Sequence, residues 1–130
     1  YKRQLNALRH GAACEKLVLI SPGMYDVKPT FEGFVGLFGL DEVYYGDRIF
    51  ALAESIHGIN PGALGLDRFA DQIETETLIV HCEDDKDSVK EIAIDLHADM
   101  KNSTLHLTQG LGHRRILRDE KVAEMVLDFL

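Results

Sequence analysis

Two stretches of this chain carry residues able to share acid–base chemistry. In one, the apolar run Thr77-Leu78-Ile79-Val80 empties into His81-Cys82-Glu83-Asp84-Asp85; in the other, Leu105-His106-Leu107 leads into Gly110-Leu111-Gly112-His113. A histidine used as a general base needs one ring nitrogen free toward a reacting group and the other held by a carboxylate, an arrangement favoured in loops at the carboxyl edge of a sheet. His113 meets that description, and the glycines at 110 and 112 allow tight turns around it, although a purely structural loop would share them. An unpaired carboxylate is costly to desolvate, so Asp84 or Asp85, placed just past an apolar strand, is a candidate to hold the ring. A solvated acidic turn, with Asp87 capping the next helix, accounts for Glu83 and Asp87 equally well. For Asp85 the context favours function. His106 and His97 read as ordinary half-buried or surface residues, and His10 and His57 as helix-end residues, where a cationic imidazole is mildly stabilising.

Positioning these residues requires strands that end where they begin. Leu17-Val18-Leu19-Ile20 is a continuous apolar run that stops at Ser21-Pro22-Gly23, as expected of a parallel strand covered on both faces. Residues 77 to 82 and Thr104 to Leu107 read as two more strands. Helical segments follow each of them, about Ser88 to Met100 and Asp119 to Leu130, so the order β-α-β-α predicts an α/β fold with a parallel sheet and right-handed crossovers. Leu5, Leu8 and Ala12 fall at helical spacing ahead of the first strand and read as the tail of a helix.

Between the first two strands, from about residue 28 to 72, several helical pieces replace a single crossover helix. A Phe-rich one is expected from Phe31 to Leu40, another from Asp41 to His57, and a shorter one after Pro61, with Asp41 as N-cap and Gly58 as the stop. Phe31, Phe34, Val35 and Phe38 form an apolar face. Packing against the sheet or a neighbouring helix is its plainer explanation, with a lining for a ligand as the alternative.

Composition excludes more than it suggests. At 130 residues the chain has the usual size of one domain, and 45% hydrophobic with 28% charged is ordinary for a globular protein. A net charge of −8 argues against nucleic acid or an anionic membrane as partner, since both demand a dense Lys/Arg surface. No apolar run approaches the roughly 18 residues needed to span a bilayer. Cys14 and Cys82 form no CxxC pair and read as reduced thiols, which suggests a cytoplasmic setting. No ligand spacing supports a metal site, and no cofactor is expected.

The two strand ends resemble the α/β-hydrolase family. Leu78-Ile79-Val80-His81-Cys82-Glu83-Asp84-Asp85 is similar to that family's apolar strand followed by His-x-x-x-Asp, in which the last aspartate is the triad acid; Gly110-Leu111-Gly112-His113 is similar to the turn after its final strand, which supplies the triad base. The resemblance implies that Asp85 orients the imidazole and His113 is the base. It also implies three parallel strands with flanking helices, the carboxyl-terminal half of a serine hydrolase sheet, with residues 28 to 72 as a helical cap in a partial domain spanning 1–130. The implied substrate is a small carboxylic ester or related acyl compound.

Two departures qualify the match. Val-Pro often follows the family's acid, and here the stretch is Ser88-Val89. More important, no Gly-x-Ser-x-Gly elbow occurs: Ser21, Ser55, Ser88 and Ser103 lack the flanking glycines. The resemblance would put the nucleophile and the oxyanion hole upstream of Tyr1, so the 130 residues alone are expected to be inactive. A non-catalytic binding module of the same fold is the alternative. A receiver-type domain using Asp84-Asp85 for Mg²⁺ fits poorly, because too little chain follows residue 85 to supply its remaining strands. Finally, a first strand that lacks its upstream neighbour leaves a hydrogen-bonding edge at residues 17 to 20. Self-association through that edge is expected, and light scattering returning a monodisperse monomer would contradict it.

Overall fold

The computed structural model describes residues 13–23, 27–58, 60 and 65–130. Two compact units divide the chain, one comprising Tyr1–Gly23 and Phe69–Leu130 and the other Met24–Arg68. The expected helix tail before the first strand lies outside the described residues.

The first unit is built on a sheet of three parallel strands, β1 (Lys16–Ile20), β2 (Glu76–Cys82) and β3 (Ser103–Thr108), in the order β1-β2-β3. Leu19 is level with Ile79 on one side, and Ile79 with Leu105 on the other. Among the described residues the middle strand is the most thoroughly covered: every residue of β2 from Thr77 to Cys82 is buried. In β1 burial alternates, with Leu17 and Leu19 inside, while Leu107 in β3 remains 40% exposed. A central strand has neighbours on both edges and helices on both faces, whereas an edge strand lacks one of them, so the same apolar composition yields different burial.

One face of β2 presents Leu78, Val80 and Cys82, which pack with Ile116 and Val122 and, at the margin, with Met125, Val126 and Phe129. These last residues belong to α5 (Glu120–Phe129), whose apolar positions recur at helical spacing. Asp119 caps it by accepting from the Val122 amide at 3.1 Å. The opposite face carries Leu19 and Ile79, on the side of α3 (Lys90–Asp99), whose Ala93 and Leu96 are buried. Helix α3 starts at Lys90, with Val89 at its N-cap position and no side-chain cap. Asp87 therefore does not cap it, because Asp87 and Ser88 are drawn instead into a turn closed by Asp85.

Ser21, directly after β1, has φ of +46°, a left-handed conformation that strains a residue bearing a Cβ. Its buried hydroxyl has no hydrogen-bond partner among the described residues. The strand is nonetheless continued here, since the Ser21 amide donates to the Val80 carbonyl at 2.9 Å.

The second unit contains two helices, α1 (Val27–Gly36) and α2 (Glu42–His57). Asp41 caps α2 by accepting from the Tyr44 amide at 2.7 Å, and Gly58 ends it in the left-handed conformation at φ +63°. The two helices pair closely: Phe31 meets Phe50 edge-on at 5.5 Å, Lys28 bridges to Asp47 at 2.9 Å, and a Cβ at Gly46 would come within 2.8 Å of the Glu32 side chain. The Phe-rich helix begins four residues earlier than its sequence suggests and stops at Gly36, leaving Phe38 and Leu40 in the following turn. Phe34 and Phe38 meet edge-on at 5.3 Å and stay largely exposed, whereas Val35 of the same face is buried and Phe31 engages the neighbouring helix. The shorter helix after Pro61 falls partly on residues outside the description; beyond them, Leu66–Arg68 and Ala70–Gln72 form separate 3-10 turns.

Candidate functional site

Parallel pairing puts the carboxyl ends of β2 and β3 side by side, with Cys82 level with Thr108. The chains leaving them stay joined, because Glu83 N–H donates to the Thr108 carbonyl at 2.8 Å and Gln109 donates to the Glu83 carboxylate at 2.6 Å. Asp85 and His113 are thereby brought together: Nδ1 of His113 lies 2.8 Å from Oδ2 of Asp85. His113 is in the first turn of a short helix, α4 (Gly112–Arg115), and not on an open loop.

The carboxylate is fully buried and the imidazole is 38% exposed. Oδ1 of Asp85 accepts the amides of Asp87 and Ser88, each at 2.9 Å. Burial pushes the Asp85 carboxyl up, but the Ser88 amide, the His113 ring and the Asp87 amide together outweigh it and hold the group below its ordinary value. An ionised carboxylate only accepts hydrogen bonds, so Nδ1 of His113 carries a proton, which in the neutral imidazole leaves the lone pair on Nε2. Nε2 makes no hydrogen bond to any described residue. The pair thus has the elements of a poised base: a held tautomer, a buried counter-charge and a free acceptor nitrogen.

Ser88 gathers three strands of this network. Besides its amide bond to Asp85, its hydroxyl donates to the Pro22 carbonyl at 2.7 Å and its own carbonyl accepts from Nε2 of His81 at 2.8 Å. His81 is completely buried, and its Nε2 lies 3.7 Å from Oδ2 of Asp85. In the sequence Ser88 reads as a helix start and as a serine without elbow glycines, although Asp-x-x-Ser at 85 and 88 also has the spacing of a carboxylate closing a turn on a backbone amide.

Asp84, the other candidate acid, does not touch His113. Its Oδ1 accepts from the Gly110 amide at 2.9 Å and from the Cys82 thiol at 2.7 Å. The thiol's donation holds the Asp84 carboxyl below its ordinary range; desolvation opposes this and the Gly110 amide assists.

The remaining histidines stand apart. His97 pairs through Nδ1 with the Ser103 hydroxyl at 2.7 Å, His57 is exposed at the end of α2, and His10 lies outside the described residues. His106 is exposed and, with Glu76, Thr104, Lys121 and Phe129, borders a cleft of about 500 Å³ that includes neither Asp85 nor His113. Among the serines, Ser55 donates to the Leu52 carbonyl at 2.9 Å, and Ser21 and Ser88 are buried. None of them hydrogen-bonds His113. Among the described residues, no group of three or more His, Cys, Asp or Glu could hold a metal ion, and no helix is long and apolar enough to cross a membrane.

No protein-family model matches the sequence, and no curated protein matches it. A solved structure does match in shape: MGS-MChE2, an α/β-hydrolase enzyme from the metagenome of sediments from the lagoon of Mar Chica, Morocco. The superposition has a TM-score of 0.53 at 15% sequence identity and covers 98% of this chain and 67% of that one. At that identity the likeness speaks for architecture and not for chemistry. The chain has an α/β fold, three parallel strands with flanking helices, of the kind found in an α/β hydrolase.

Proposed function

We propose that this chain supplies the acid and the base of a serine-type α/β hydrolase acting on a carboxylic ester or related acyl substrate, with Asp85 orienting His113. The observation that carries this reading is the 2.8 Å bond between His113 Nδ1 and a buried Asp85 whose second oxygen is occupied by two backbone amides. In that role Nε2 takes the proton of the nucleophilic hydroxyl and later returns it to the leaving group, while Asp85 stabilises the imidazolium that forms between. Residues 28 to 72 act as the cap. The nucleophile and the oxyanion donors come from outside these 130 residues, which contain no Gly-x-Ser-x-Gly elbow. That same absence favours one second reading, a non-catalytic module of hydrolase shape that holds a ligand or partner.

Labelling of the full-length protein with a fluorophosphonate separates the two. Rapid labelling is expected, and His113→Ala and Asp85→Ala should each slow it by at least about 10²-fold, as removal of an activating base or its orienter does. Undiminished labelling of both variants would overturn the assignment. A full-length protein that takes no label would favour the binding module.

A further inference from the structure

We propose that Cys82 and Asp84 are positioning residues for His113, binding the backbone amides of the three residues before it and so aiming its ring at Asp85. The role rests on the reading of His113 as a base, and it explains a set of contacts that the acid–base pair does not use. Gly110 N–H donates to Asp84 Oδ1 at 2.9 Å, while Leu111 N–H and Gly112 N–H donate to Cys82 Sγ at 3.3 and 3.2 Å. The thiol in turn donates to the same Asp84 oxygen at 2.7 Å, so one connected pair of side chains receives three consecutive amides.

Three amides can converge in this way only because the backbone is folded back on itself. Gly110 and Gly112 take φ of +78° and +60°, left-handed values that turn successive N–H groups toward one side, as in an anion-binding nest. The carbonyls face another partner: Arg115 donates to those of Gly110 at 2.7 Å and Leu111 at 3.1 Å. With donors and acceptors both engaged, the peptide planes before His113 have little freedom to rotate. The sulfur is itself fixed, since Cys82 ends β2 and is fully buried among Leu78, Val80, Ile116 and Val122. Without an acceptor at position 82, two partly buried amides would lose their partners, a loss that structures avoid by moving the backbone toward water. Such a movement begins one residue from His113. A 2.8 Å hydrogen bond tolerates only a few tenths of an ångström before it weakens.

The test uses NMR of the ¹⁵N-labelled chain, which needs no turnover. In its neutral form His113 should show the Nδ1–H tautomer with a proton shifted downfield by its bond to Asp85. Cys82→Ala should raise the share of the other tautomer and speed exchange of the Leu111 and Gly112 amides by about 10-fold, the effect of losing one hydrogen bond each. Cys82→Ser, which keeps an acceptor, should restore most of both signals. Unchanged His113 ring signals in a folded Cys82→Ala chain would overturn the proposal. Should that variant not fold, Asp84→Ala serves, because Asp84 is exposed and outside the core; it should release the Gly110 amide and perturb the ring, and an unperturbed ring would again overturn the role. Failed fluorophosphonate labelling together with these NMR changes would refute the hydrolase reading and leave the positioning role supported.

Discussion

Asp85→Asn in the full-length protein is expected to lower kcat for acyl hydrolysis by about 10⁴-fold while leaving KM little changed. The reason lies in how the carboxylate is divided. Oδ1 serves two backbone amides, so an asparagine at this position must turn its carbonyl oxygen toward Asp87 and Ser88. Its NH₂ group then occupies the place of Oδ2, opposite His113 Nδ1. Two donors cannot face each other, and the ring answers by placing its proton on Nε2, the atom that serves as base in the proposed triad. The variant keeps the shape of the site and loses its chemistry. Stability should change in a pH-dependent way as well. The Asp85 carboxyl is held below its ordinary value of 3.8 in the folded chain, so its contribution is present above that pH and is lost as pH falls through the folded value. Urea unfolding should therefore separate wild type from Asp85→Asn near neutrality, with the gap closing below pH 3.8. An Asp85→Asn enzyme with wild-type kcat would refute the triad role.

Much of this arrangement was legible in the residues because it depends on local rules. The apolar run in β2 and the acids directly after it follow from what a buried strand can and cannot hold, and Asp41 and Gly58 mark the ends of α2 by capping chemistry that acts within one helical turn. What periodicity leaves open is which loops meet. The bonds of Cys82 and Asp84 to residues 110 to 112 span 26 to 30 positions and exist only because β2 and β3 lie in register side by side. A cysteine after an apolar run looks like one more core residue. Asp87 illustrates the opposite error: it has the right type and spacing for an N-cap, but a carboxylate two residues earlier takes its amide for a turn that serves the site. The exposure of β3 was hidden for a similar reason, since an apolar strand reads alike at the edge and in the middle of a sheet. His113 too was legible as a residue but not as part of a helical turn, because the two left-handed glycines that precede it take their conformation from tertiary partners.

The heaviest structural cost should come from the middle of β2. Ile79 is completely buried, is level with Leu19 on one side and Leu105 on the other, and lies two residues before the His81 that leads toward the acid. Ile79→Ala removes three carbons from a site walled by two strands and a helix, which cannot collapse without disturbing the register of the sheet. Losses for such truncations run from about 2 to 5 kcal/mol, and an enclosed central position belongs in the upper half of that range. Against a typical total of about 5–15 kcal/mol, the variant should be marginally folded, with a urea midpoint reduced by a third or more. Leu107→Ala provides the contrast. That side chain is equally apolar and sits level with His81 across the β2–β3 ladder, yet it is 40% exposed on an edge strand and should cost about 1 kcal/mol or less. Equal losses at the two positions would mean that β2 is not the centre of the core. The expected order, with Ile79 far above Leu107, follows from burial that Ile79 receives in the central strand and Leu107 does not. It also ties the site to the core, since the strand whose packing dominates stability is the one that delivers both Cys82 and Asp85 to His113.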